Sequence, residues 1–417
     1  MKALPALALC ATLPTTAALA QPVADTIPRA TRDHIVATVR DLVSTRFAHF
    51  AGIPGFDFGA EFERYRARAL ATTSRWTFSL ETRAFIASLR NGHTTFADPW
   101  MRDADPAQLP FTLGFLEGQW VITTSRHPGL AVGDVVLSID GAPSDSMYRT
   151  LARYISASSD RMRRREFTAR GFLWPHRVTL GLEDGRRLSV ERSAPPPDTA
   201  LPTAVVRDRW IDPGRVGYVA IRSFNDPEAQ SRAVSLVTGT YHRATTLIVD
   251  VRDNGGGNTP GALTRALLHD APYHWWKEDP DLVPAGVFDR LGARVKRALA
   301  RAGPTFAGQV VVLVNAGCGS ACEDFVMPLA WQHRAFVIGD TTAGTTGQPV
   351  FARFDNGMQV SVSARRAQFP DGSPFEGVGI VPDLVIPTTR RDLGGGQDRV
   401  LEAAIARARS SPAQSPR

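Results

Sequence analysis

The chain has 417 residues, 43% of them hydrophobic and 21% charged, and its 48 Lys and Arg outweigh 41 Asp and Glu for a formal charge of +7. That length exceeds one ordinary core and predicts two or three domains, while the composition excludes a fibre or a mainly disordered chain. The positive excess is Arg spread along the sequence, with one dense run at Arg161, Arg163, Arg164 and Arg165. Such a run reads as a solvated helix face, and without a nucleic-acid fold signature no nucleic-acid partner is expected.

Residues 1–20 contain one charge, Lys2, then an apolar run from Ala3 and a small-residue triplet Ala18-Leu19-Ala20. This is the pattern of a secretory signal cut near Ala20, which predicts a periplasmic or secreted mature chain. Pro5 and Pro14 interrupt the run, and no later segment approaches the ~20 apolar residues of a stable membrane span. Residues 21–105 read as a helical domain. Ile35, Val36, Val39, Leu42 and Val43 recur at helical spacing over 33–47, and two more helices are expected over 62–71 and 79–89. Gly92-His93-Thr94-Thr95 interrupts that pattern.

Residues 106–195 read as a β-rich domain. A strand is expected over 119–124 and a turn–strand–turn over 129–141. A helix follows over 144–155, then a hairpin of 178–182 and 187–191 about Asp184-Gly185. The stretch Ala194-Pro195-Pro196-Pro197-Asp198 reads as a linker. Over 196–392, strands at 215–221, 246–251, 309–314 and 335–339 alternate with helices at 226–236 and 322–333. The apolar, β-branched run at 246–251 suits a sheet buried on both faces, so an α/β core with parallel crossovers is expected. Residues 393–417 read as a C-terminal helix and a polar, disordered tail from Ser410.

Chemistry is concentrated where strands end, the place where active sites gather in open α/β sheets. Asp250-Val-Arg-Asp-Asn-Gly-Gly-Gly-Asn258 frees successive backbone N–H groups to face an oxyanion or a phosphate. It lacks the Lys-Ser/Thr ending of a phosphate-binding loop. Asn315-Ala-Gly-Cys-Gly-Ser-Ala-Cys-Glu323 carries a hydroxyl, Ser320, to a helix N-terminus. There it can serve as a nucleophile or as an N-cap with Glu323 closing a capping box. Cys318 and Cys322 can pair if the backbone permits, but two isolated thiols make no metal site. Gly339-Asp-Thr-Thr-Ala-Gly-Thr-Thr-Gly-Gln348 is a third loop, rich in Gly and Thr, of the kind that borders clefts.

Taken in order and spacing, these segments resemble the serine peptidases that include the C-terminal processing (tail-specific) proteases and the tricorn core protease. The resemblance is strong over 201–390, and Gly129 to Gly141 resembles a PDZ-type strand and turn. It implies a crotonase/Clp-like α/β catalytic core preceded by helical and PDZ-like domains, no cofactor or metal, and a peptide or unfolded-protein substrate. The processing proteases use a Ser–Lys dyad with the lysine 25 residues after the serine. That position here is Thr345, and 320–417 contains no lysine. The Ser–His branch fits instead: Leu89-Arg-Asn-Gly-His-Thr-Thr95 resembles its histidine segment and makes His93 the implied base. Asn91 replaces an aspartate common in that motif, and Gly92 stands where tricorn has a serine. Glu376 is the implied acid that orients His93, and the N–H groups of Gly256 and Ala321 are the implied oxyanion donors. The expected activity is acyl-enzyme peptide hydrolysis on Ser320; a non-catalytic ligand carrier and an esterase stand as the alternatives on the same fold.

Overall fold

Six strands form the central sheet: Val206–Asp212, Val216–Ile221, Thr246–Asp250, Gln309–Val314, Ala335–Gly339 and Leu384–Val385. Their spatial order runs 384–385, 335–339, 309–314, 246–250, 216–221, 206–212. Every neighbouring pair is parallel except the last, where 206–212 returns antiparallel along the edge. The computed structural model describes residues 26–194, 204–268, 277–278, 305–394 and 396–410. The expected signal segment, the prolines of the expected linker and the tail beyond Ser410 lie outside them.

The period of two along a strand sorts the apolar residues to opposite faces of this sheet. Leu247, Val249, Val310, Val312 and Val314 face one core, shared with helices Pro227–Ser235, Gly261–Leu268 and Ala321–Trp331. Ile248, Val311 and Leu313 face another, closed by Ala404 and Ala408 of helix Arg399–Ser410. The C-terminal helix therefore covers the second face, and its small residues allow close approach. Burial on both faces explains why 246–250 is buried throughout and reads as a continuous apolar run.

Three helices, Arg29–Arg46, Phe58–Ala71 and Arg75–Ser88, build the N-terminal part. Asp57 and Ser74 cap the second and third, accepting the N–H groups of Ala60 and Thr77. Their apolar stripes do not close on one another alone. Ile35, Val39, Phe62, Tyr65 and Phe85 share a core with Met358, Val360 and Val362. Strand Gln359–Ser363 pairs on one side with Pro349–Arg353 and on the other with Thr95–Ala97, all antiparallel. A hairpin late in the chain thus completes the helical part. The register Thr95↔Ser361 fixes where the segment leading out of His93 must lie.

Between these parts lies a β-rich module. It holds the hairpin Phe111–Leu116/Gln119–Ser125 and a four-stranded sheet of Ala142–Pro143, Val136–Ile139, Arg177–Leu182 and Arg187–Glu191. Trp120, Tyr148, Phe167 and Trp174 dominate its core, which also takes in Trp76 and Leu80 from the third N-terminal helix. A buried ion pair ties its two ends together: Arg192 gives Nη2 to Asp105 at 2.6 Å, Nε to the Pro175 carbonyl and Nη1 to the Ala107 carbonyl. The Arg192 side chain is fully buried. Removing its carboxylate leaves an uncompensated buried charge, so Asp105→Ala should lose about 3–5 kcal/mol of stability, read from urea unfolding midpoints.

Candidate active site

Strand Gln309–Val314 ends in a turn held by Asn315, whose Oδ1 accepts the N–H groups of Asp253 and Gly317 at 2.9 Å each. Cys318 and Cys322 are joined by a disulfide with Cα atoms 5.5 Å apart, so the pairing that the sequence left open is made, with Ser320 at its centre. Ser320 has φ +55°, a region that costs a non-glycine residue energy and persists where the surroundings over-determine it. Its N–H donates to the Thr345 carbonyl at 2.8 Å. Its side chain caps nothing, so the capping-box reading is not what the fold builds. Glu323 points instead into the next loop, where it accepts the Thr342 hydroxyl and the N–H groups of Gly344 and Thr345, the last two at 2.7 and 2.9 Å.

His93 meets Ser320 across 227 residues of sequence: its Nε2 lies 3.0 Å from Ser320 Oγ. Its other nitrogen, Nδ1, lies 3.0 Å from Thr345 Oγ1. Glu376, expected to orient His93, makes no direct hydrogen bond to it. The Thr345 hydroxyl stands between them, donating to Glu376 Oε1 at 3.4 Å. The same Oε1 accepts Asn91 Nδ2 at 2.7 Å and the Ser158 hydroxyl. Asn91 also uses its Oδ1 to take the His93 N–H at 3.0 Å and the Thr94 hydroxyl at 3.0 Å. An asparagine is what this position needs: one amide donates to the carboxylate while accepting from the histidine loop, which an ionised aspartate is unable to do.

Burial sets the charge state of the site. It pushes the His93 imidazole down to about 4 and the Glu376 and Glu323 carboxyls up to about 8. The Ser158 hydroxyl, the Thr346 backbone N–H and the Thr345 hydroxyl pull Glu376 back toward ionisation, but less strongly. Glu376 Oε2 is buried and makes no hydrogen bond of ordinary geometry among the described residues.

The two expected oxyanion donors fare differently. The Ala321 N–H sits at the first turn of helix Ala321–Trp331 with no acceptor among the described residues, so it is available. The Gly256 N–H is committed: it donates to Asn254 Oδ1 at 2.9 Å, closing a local turn. Gly256 acts through its missing side chain instead. At φ +103°, a Cβ there would stand 2.7 Å from Ser320 Cβ and 2.8 Å from the Ala321 nitrogen, filling the space beside Ser320.

The arginine run is only in part a solvated face: Arg165 is exposed, while Arg161, Arg163 and Arg164 are half-buried. In and beside helix Asp160–Arg165, Arg161 reaches the carbonyls of Thr342 and Val378, and Arg165 pairs with Asp253 at 2.8 Å. Arg163 turns back to the carbonyls of Ile155 and Ala157, and the Arg164 guanidinium lies 3.8 Å from the Phe115 ring centroid. The helix is a clamp that fixes the β-rich module against both loops of the site. Thr345, Ser158 and this helix were not singled out as site residues by the sequence. For Thr345 the signal was present, since it stands where a dyad would place its lysine.

Residues 215–386 match the sequence profile of Peptidase family S41. Over 177 residues the chain is 25% identical to the chloroplastic carboxyl-terminal-processing peptidase 2 of Arabidopsis thaliana, covering 42% of this chain and 32% of that one. Over 318 residues it is 24% identical to the carboxyl-terminal-processing protease of a Picosynechococcus species, covering 70% of each. The chain thus spans about a third of the length of the first curated relatives it matches. The crystal structure of mature CPAF shares its fold, with TM-score 0.65 and 17% identity over 88% of this chain and 94% of that one. The late strands, the glycine loop and the Ser320 turn all fall inside the segment that matches Peptidase family S41.

Proposed function

We propose that the chain is an exported serine endopeptidase that cleaves peptide bonds through an acyl-enzyme on Ser320, with His93 as general base. The observation that carries this is the 3.0 Å contact from His93 Nε2 to Ser320 Oγ, within reach of direct proton transfer. Export rests on the signal pattern of residues 1–20, and no helix among the described residues is long and apolar enough to cross a membrane. The substrate is a peptide or an unfolded protein, consistent with relatives whose names describe processing of carboxyl termini.

The chemistry follows from where the protons are. Burial keeps the imidazole neutral, so Nε2 is free to accept only if the ring proton sits on Nδ1. Thr345 selects that tautomer: its hydroxyl donates onward to Glu376 Oε1 and so accepts the Nδ1 proton. Ser320 Oγ then attacks the scissile carbonyl as its proton passes to Nε2. The Ala321 N–H meets the oxyanion, and the collapsing intermediate takes the proton back from Nε2 onto the leaving amine. Water, deprotonated at Nε2 in turn, hydrolyses the acyl ester and restores Ser320. Glu376 stabilises the transient imidazolium through one intervening hydroxyl.

Three measurements test this. Ser320→Ala should lose on the order of 10⁶-fold in kcat and all labelling by a fluorophosphonate, with circular dichroism unchanged. Label that persists in the variant sinks the assignment, and absence of label in the wild type turns the reading toward a ligand carrier. Esters cleaved while peptides are spared would make the protein an esterase. Thr345→Val, which keeps the shape and removes the hydroxyl, should lower kcat/KM about 10²-fold with KM little changed. Glu376 sits above its ordinary value, so its carboxyl is protonated below about pH 8 and ionises above it. With His93 neutral throughout this range, kcat/KM should climb about tenfold from pH 7 to pH 9, and Glu376→Gln should flatten the climb.

A further inference from the structure

Glu376 is reached from three parts of the chain at once: Asn91 from the N-terminal helical part, Thr345 from the α/β core, and Ser158 from the β-rich module. The first two accompany the histidine and the nucleophile. The third has no evident reason to be there if the β-rich module only recruits substrate. Ser158 does two things with one oxygen. Its hydroxyl donates to Glu376 Oε1, and its Oγ accepts the Gly92 N–H at 2.8 Å, immediately before His93. One side chain thus links the acid to the backbone that carries the base.

The surrounding contacts leave this segment little room to move. The Ser158 carbonyl lies 2.8 Å from where a Cβ on Gly377 would stand, so the backbone after Glu376 packs directly on it. Ser159 Oγ reaches the Ala343 carbonyl at 3.5 Å, and Arg161 and Arg165 clamp the following helix to Thr342, Val378 and Asp253. Met162 closes over Gly92, its Cε 3.0 Å from a Cβ built there. The segment from Ser158 to Arg165 is therefore a wall of the site contributed by the β-rich module.

We infer that Ser158 is a positioning residue for the hydrolysis, holding the Glu376 carboxyl and the Gly92–His93 backbone in one arrangement, so that the β-rich module completes the active site. This rests on the serine-peptidase reading above. The bond also favours the ionised form of Glu376, so its loss should push that carboxyl further up. The other charged groups that bear on Glu376 are Arg366, Glu323 on the nucleophile helix, His93 behind Thr345, and Arg161 at the Val378 carbonyl. None of them is altered by a change at Ser158.

The test compares wild type, Ser158→Ala and Ser158→Thr by kcat, KM, fluorophosphonate labelling rate and melting temperature across pH 6–10. Amide hydrogen exchange over residues 89–95 is followed alongside. Ser158→Ala should label and turn over about 10- to 100-fold more slowly at pH 7, with KM within about twofold, and recover most of the deficit by pH 9.5. Ser158→Thr, which keeps the hydroxyl, should recover most of the rate at pH 7. Exchange at Gly92 should rise about tenfold in the alanine variant, a readout of the contact that needs no turnover. Labelling of Ser158→Ala within twofold of wild type at every pH overturns the inference. So does a deficit that is equal at all pH values and tracks a fall in melting temperature. Unlabelled wild type is a failure of the peptidase reading instead, and the Gly92 exchange then decides alone whether Ser158 holds the histidine loop.

Discussion

A hydroxyl and an imidazole 227 residues apart must be held at 3.0 Å for this site to exist, and a small antiparallel sheet is the ruler that does it. Strand Thr95–Ala97 begins two residues after His93, and Pro349–Arg353 begins four residues after Thr345. Both are registered on Gln359–Ser363, Thr95 opposite Ser361 and Pro349 opposite Ser363. Ser361 reinforces the register by donating its hydroxyl to the His93 carbonyl at 3.0 Å. The sheet is stabilised in turn by the N-terminal helices, whose apolar stripes need Met358, Val360 and Val362 to close their core. Burying a few large apolar side chains is worth roughly 1.5–3 kcal/mol each, far more than one hydrogen bond between the catalytic groups. Hydrophobic packing therefore sets the geometry of the site, and the polar contacts refine it.

The same packing removes charge from the resting site. Three ionisable groups, His93, Glu376 and Glu323, are each pushed toward the neutral form by burial. Neutral partners joined through hydroxyls have little solvation to lose, so the arrangement is cheap to hold while idle. On the proposed mechanism, charge appears only as Ser320 attacks, when the imidazolium and the oxyanion form together. The fixed dipoles that meet them, the Thr345 hydroxyl and the Ala321 N–H, are already in place and need no reorganisation. Glu323 contributes without approaching His93. By holding the N–H groups of Gly344 and Thr345 it sets the loop on which the relaying hydroxyl stands.

What the sequence revealed and what it hid divide along a physical line. The buried strands were legible because period-two burial on both faces leaves long β-branched runs such as 246–250. Ser320 was legible because a strand, a small-residue turn and a helix must follow one another in sequence. The path from His93 to Glu376 was only partly legible: Asn91 and Thr345 stood out as departures from the resembled motifs, but nothing local marks that they and Ser158 face one carboxyl. The arginine run misled for the same reason, since dense charge looks alike whether it meets water or the backbone carbonyls of a neighbouring loop. Gly256 misled in a narrower way. The glycine loop does border the nucleophile, but an Asn254 side chain had already claimed its N–H.

Thr345 illustrates how strongly the positions around Ser320 constrain one another. On the peptidase reading, a lysine at 345 could serve Ser320 from within the α/β core, leaving the N-terminal part without a catalytic role. A threonine hydroxyl is no general base at neutral pH, so on that reading the base comes from elsewhere, and His93, docked from the N-terminal part, is the group in reach. Once Thr345 Oγ1 occupies the space beside Nδ1, residue 92 must have no side chain: a Cβ there would stand 2.8 Å from that oxygen and 3.0 Å from Met162 Cε. A serine at 92 and a threonine at 345 are therefore alternatives for one volume, and this chain uses the threonine. The second hydroxyl that the carboxylate needs then has to enter from a third direction, and the opening left by Gly92 faces the β-rich module, where Ser158 supplies it. With a threonine at 345, residues from all three parts of the molecule meet around one carboxyl and one imidazole.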